Sequence, residues 1–139
     1  MDPRIMALCR EDPQIAYEAY EFVCEAVTFT TTRLGRDKTE AVEPPQDRHV
    51  SGAELLQGVC DLAIREFGMM APMVFKRWGI RSTDDIGQMV FNLIKVELLS
   101  KSDRDAPADF HDLFDLQRAL TEGFQLSLDN GHSLKRGDR

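Results

Sequence analysis

Residues 74–101, VFKRWGIRSTDDIGQMVFNLIKVELLSK, constrain the fold more than any other part of this chain. Pro72 opens a short helix carrying Val74, Phe75 and Trp78. Gly79 ends it in a left-handed position that a residue without Cβ adopts at little cost. Ser82 or Thr83 then caps a longer helix, whose apolar stripe of Val90, Leu93, Ile94 and Val96 runs to about Val96. Leu98–Lys101 leave as a strand. The order is therefore helix, turn, helix, strand. Asp84 and Asp85 open the second helix, where the positive end of its dipole favours them and where a phosphate would be repelled.

Upstream, Asp2-Pro3 and Asp12-Pro13 each join a capping side chain to a proline that fits a first helical turn. They predict helices near 3–10 and 13–29. In the second, Ile15, Ala19, Phe22, Val23, Ala26 and Val27 form the buried stripe, with Glu18, Glu21 and Glu25 on the wetter side. The threonine-rich run Thr28–Thr32 weakens this helix and leaves its end open. Ser51 and Glu54 form a capping box for a helix to about Phe67, which Gly68 stops. It buries Leu55, Leu56, Val59, Cys60, Ala63 and Phe67, and turns Gln57, Asp61 and Arg65 outward.

Beyond Lys101, a polar loop over Ser102–Asp109 precedes Phe110–Leu116, which returns as the second strand of a hairpin; a helix over 108–124 is the competing reading. The fold class is thus mainly α with a small β component. It is read as a single domain over 1–126, a helical bundle with a winged-helix-like helix-turn-helix and a C-terminal β-hairpin. Residues 33–48 lack apolar periodicity, contain Pro44-Pro45 and read as a mobile connection, and 127–139 read as a flexible tail.

A hydrophobic content of 42% with eight phenylalanines supports a packed core. The net charge of −7, with no strongly basic segment, disfavours a general binder of nucleic acid or anionic membrane. Cys9, Cys24 and Cys60 are odd in number, far apart and outside any metal spacing, which suits buried free thiols in a reducing compartment. Without a leader-like or membrane-length apolar run, a cytoplasmic location is expected.

From His49 to Leu116 the chain resembles an uncharacterised family of small bacterial proteins found mainly in planctomycetes and verrucomicrobia. The resemblance is carried by His49-Val50-Ser51-Gly52, Phe67-Gly68, Trp78-Gly79, Thr83-Asp84-Asp85-Ile86-Gly87 and Val90-Phe91-Asn92-Leu93, then Lys101, Asp109-Phe110 and Phe114-Asp115. It covers about half the chain and implies no established activity. Residues 53–116 also resemble winged-helix proteins more loosely. Those usually place a Gly just before the first wing strand, where this chain has Glu97.

DNA binding is the use such a fold suggests. Lys76, Arg77 and Arg81 surround Trp78, and Gln88 and Asn92 are able to reach base edges. Against it, helix 84–97 sets Asp84, Asp85 and Glu97 against Lys95 alone, and groove readers draw much of their affinity from neutralising phosphates. Asp103, Asp105, Asp109, His111, Asp112 and Asp115 crowd one stretch. They lack the turn glycine and closing glutamate of a calcium loop, so a solvated wing is the simpler reading. The zinc-hydrolase spacing, a nucleophile elbow and a phosphate loop are absent from the sequence, and Ser51 is committed to its cap. No catalytic, metal or cofactor site is assigned. Gly87 inside a helix costs about 1 kcal/mol against Ala and points to close packing. The expectation is a non-enzymatic adaptor or regulatory domain that binds another protein through Arg77, Arg81, Thr83, Asp84 and Gln88. The alternatives are a DNA-binding regulator and, third, a metal-dependent enzyme or sensor.

Overall fold

The computed structural model describes residues 2–35, 50–99 and 110–122. The described residues form a helical bundle: α1 (Pro3–Glu11), α2 (Tyr17–Arg33), α3 (Gly52–Phe67), α4 (Ala71–Trp78), α5 (Thr83–Lys95) and α6 (Leu116–Glu122). A 3₁₀ turn, Gly68–Met70, links α3 to α4. The loop expected over 33–48 lies outside the described residues from residue 36 onward, as does the tail.

Local chemistry sets most of the starts. Asp2 caps α1 by accepting the Arg4 amide at 2.8 Å, with Pro3 in the first turn. Ser51 Oγ accepts the Glu54 amide at 3.1 Å while Glu54 returns to the Ser51 amide at 2.9 Å, the reciprocal box expected for α3. The second helix starts later than Asp12-Pro13 suggests. Asp12 instead accepts the Gln14 amide in a turn, and the Ala16 amide donates to the Trp78 carbonyl at 3.1 Å, so α2 begins at Tyr17. The threonines do not end it, for α2 continues to Arg33.

The helix ends are equally local. At Gly79, φ is 89°, the Gly79 amide reaches the Lys76 carbonyl, and the Ile80 amide reaches the Phe75 carbonyl at 2.9 Å. The pair of bonds is a Schellman motif, with buried Ile80 and Phe75 supplying its apolar contact. α5 ends in the same way: Glu97 donates to the Ile94 carbonyl and Leu98 to the Leu93 carbonyl, both at 2.9 Å. Here the left-handed position, φ 67°, is held by Glu97 rather than glycine.

That ending takes Leu98 and Leu99 out of the expected first strand, whose last residues Ser100 and Lys101 lie outside the described residues with the loop after them. The Leu98 and Leu99 amides both fold back on the Leu93 carbonyl, so they are spent on the helix cap rather than on a ladder. Phe110–Leu116 is not a strand either. Phe110 lies in a short turn, and Asp115 accepts the Arg118 amide at 3.2 Å to start α6. From Leu116 the apolar spacing is helical, with Leu116, Ala119 and Leu120 buried. Among the described residues there is no strand. The competing helical reading of 108–124 is the nearer one: among the described residues its helix is Leu116–Glu122, and residues 108–109 and 123–124 lie outside them.

One core joins the elements. α2 and α3 make the largest helix–helix contact, α5 rests on both, and α4 packs on α2, α3 and α6. Phe22, Phe67, Phe75 and Trp78 meet with ring centroids 5.5–5.8 Å apart, tying α2, α3 and α4 together. Such pairs add roughly 0.5–1.5 kcal/mol each beyond burial. Trp78 thus serves the core. Where α2 crosses α3, a Cβ at Gly58 would stand 1.8 Å from Thr30 Oγ1, and that buried hydroxyl has no hydrogen-bond partner among the described residues.

Cys60 is buried in this core, and Cys9 and Cys24 are partly so. Burial, assisted by the Asp61 charge, pushes the Cys60 thiol up to about 12 from 9.0. Below 9.0 the thiol is neutral in both states and its contribution to stability is complete. Between 9.0 and about 12 the unfolded chain releases a proton that the folded chain keeps, so stability falls as pH rises. Urea midpoints measured across that window should fall with pH, and less steeply in Cys60→Ala. Glu97→Gly should raise stability by roughly 0.5–1 kcal/mol in the same assay, because relief of left-handed strain exceeds the added unfolded-state entropy.

Candidate functional site

The turn between α4 and α5 carries the candidate site, and the α1–α2 linker holds it in place. A Cβ at Gly79 would lie 2.0 Å from the Gln14 carbonyl oxygen, so only glycine permits this approach. With the Ala16–Trp78 bond beside it, the turn and the linker form one rigid edge.

Ser82 is the residue that caps α5. Asp85 accepts the Arg81 amide at 2.8 Å and the Ser82 amide at 3.2 Å, and its own amide donates to Ser82 Oγ at 3.4 Å. Asp84 points elsewhere: its carboxylate lies 3.0 Å from Nδ1 of exposed His111. The two neighbouring aspartates therefore do different things. One builds the turn, and the other reaches the segment before α6.

Between the linker and α5 lies an open cleft with a cavity volume of about 120 Å³. Asp12, Gln14, Arg81, Asp85, Gln88 and Asn92 line it, with Tyr20 of α2 among the deeper residues. A chain of hydrogen bonds crosses from α5 to α2. Gln88 Nε2 donates to Asn92 Oδ1 at 3.1 Å, and Asn92 Nδ2 donates to the Tyr20 hydroxyl oxygen at 3.2 Å. Burial pushes the Tyr20 phenol up and outweighs the opposing Asn92 bond. Arg81 at the rim, like Lys76 and Arg77 on α4, has no carboxylate within ion-pairing distance among the described residues.

Of the residues expected on the ridge, Arg77, Arg81, Asp84 and Gln88 are exposed. Only Arg81 and Gln88 meet at the cleft; Arg77 lies on α4 and Asp84 turns to His111. Thr83 does not belong to the surface. It is 0% exposed, donates to the Phe110 carbonyl at 2.6 Å and accepts the Leu113 amide at 3.2 Å. Its place in the first turn of α5 turns it inward to hold the returning chain. Gly87 has the packing role expected of it, for a Cβ there would lie 2.5 Å from Phe110 Cβ. Tyr20 and Gln14 escaped the sequence reading, which gave Asp12 only a capping role. The apolar stripe of α2 hides Tyr20, and no local pattern announces a linker that folds back on a later turn.

Asp103, Asp105 and Asp109 lie outside the described residues. Among those described, no group of three or more His, Cys, Asp or Glu side chains is placed to hold a metal ion. No described helix is long and apolar enough to cross a membrane. No protein-family model, curated protein or solved structure matches this chain.

Thr83→Val keeps the shape and strands the buried Phe110 carbonyl and the part-buried Leu113 amide. It should cost roughly 1–3 kcal/mol by urea unfolding and speed exchange of the Leu113 amide.

Proposed function

We propose that this protein is a non-enzymatic, cytoplasmic adaptor or regulatory domain that binds another protein at the α4–α5 edge. Arg81 and Gln88 contact the partner from the cleft, with Arg77 and Asp84 to either side. The single observation that carries this reading is the fixed amide chain Gln88–Asn92–Tyr20 beside an Arg81 free of described carboxylates. Such a cleft offers oriented donors to a carbonyl or carboxylate. Its volume of about 120 Å³ falls below the roughly 300–1,000 Å³ of ordinary cofactor and small-molecule pockets, and suits one side chain or one peptide unit. Rigidity supports the same reading, because a preformed edge loses little entropy on docking. Kinship with the small bacterial family resembled over residues 49–116 belongs to this proposal, since Ser51, Trp78-Gly79 and Gly87 each have a structural task here.

A DNA-binding winged-helix regulator is the second reading, favoured by the carboxylate-free Lys76, Arg77 and Arg81. Asp84 weighs against it, exposed at the end of α5 that would approach phosphates.

A photo-crosslinking residue at Gln88, with a control at Glu25 on α2, separates the two. The expected result is a discrete protein adduct from Gln88 alone, lost in Arg81→Asp. Absence of such an adduct, together with salt-sensitive retardation of genomic DNA fragments, would give the site to nucleic acid.

A further inference from the structure

The outer side of α4 carries a second surface, distinct from the cleft, and its interpretation rests on the protein-binding reading. Met69 is 95% exposed, Met70 52% and Met73 53%, the largest exposures of any big apolar side chain among the described residues. They are neighbours. Within α4, Lys76 and Arg77 follow Met73 by three and four residues, which puts the three on one side of the helix, and Met69 and Met70 end the 3₁₀ turn that leads into it. Ala71 and Phe75 on the other side are buried, so α4 cannot roll to hide Met73.

Charge says what kind of chain covers this stripe. The protein carries 24 acidic against 17 basic residues, and Arg33, Lys95 and Arg118 each find a carboxylate within the chain. Lys76 and Arg77 find none among the described residues. Their place at the C-terminal end of α4 satisfies the helix dipole, worth about 0.3–1 kcal/mol, but that leaves the methionines unexplained. Methionine side chains are flexible and polarizable, and adapt to the ridges of an amphipathic helix better than branched residues do. A net charge of −7 opposes an anionic membrane. A two-fold pairing of this face with itself would supply no carboxylate to either cation.

We propose that Met69, Met70 and Met73, with Lys76 and Arg77 at the end of the stripe, dock an acidic amphipathic helix of a partner protein. Its apolar side chains cover the methionines, and its glutamates or aspartates meet the two cations.

The test is selection of the full chain against a displayed library of amphipathic helices whose flanking positions vary among Glu, Gln and Lys. Enrichment of Glu flanks is expected, with binding weakened roughly tenfold by Met73→Ser and retained in Met73→Leu. The double variant Lys76→Glu, Arg77→Glu should shift the preference toward Lys flanks. All these positions are exposed, so unchanged thermal melting serves as the folding control. The proposal is overturned by no enrichment, by enrichment indifferent to flank charge, or by binders insensitive to Met73→Ser. Co-sedimentation with phosphatidylcholine–phosphatidylserine vesicles, or concentration-dependent dimerisation, would equally overturn it if abolished by Met73→Ser. A protein adduct at Gln88 with a failed selection removes this surface alone; failure of both removes the protein-binding reading as well.

Discussion

The contact between Gly79 and the Gln14 carbonyl sets the geometry on which the rest of this edge depends. With room for no Cβ, the α4–α5 turn closes directly onto the α1–α2 linker, and the Ala16 amide takes the Trp78 carbonyl. Trp78 then stands against Phe22, Phe67 and Phe75, so the turn is anchored in the aromatic centre of the bundle. The approach of α5 to α2, seen in the bond from Asn92 to Tyr20, follows from that anchoring.

Electrostatics on the same edge are divided rather than uniform. Asp85 is consumed by the backbone of the turn, while Asp84 lies beside His111. Arg81, Lys76 and Arg77 remain without described carboxylate partners. A mixed surface of this kind pairs with complementary side chains one by one, whereas a polyanion rewards a continuous cationic strip.

How much of this was legible in the sequence depended on distance along the chain. The Ser51 box, the Gly68 stop, the Gly79 ending and the buried stripe of α3 all involve residues within four or five positions, and the structure agrees with each. The misread strands failed for a related reason. Leu98 and Leu99 carry β-compatible side chains, but their amides close a helix cap whose left-handed residue is Glu97, where a glycine would have signalled it. Thr83 illustrates the limit at the site. Its sequence position marks a helix start, and nothing nearby tells that its hydroxyl binds Phe110 and Leu113, 27 and 30 residues away.

The sequence by itself determined the capped starts of α1, α3 and α5, the glycine endings of α3 and α4 and most of the apolar faces, because capping and periodicity act over one or two turns; the bounds of α2 and the presence of α6 were outside its reach. It also located the exposed arginines beside the turn. Only the tertiary structure decided that Tyr20 and Asn92 would share a hydrogen bond across 72 residues, that a linker would form one wall of a cleft, and that Thr83 would turn inward. Those outcomes arise from close packing, in which the missing Cβ of Gly79 and the bulk of Phe110 select partners that no local pattern records.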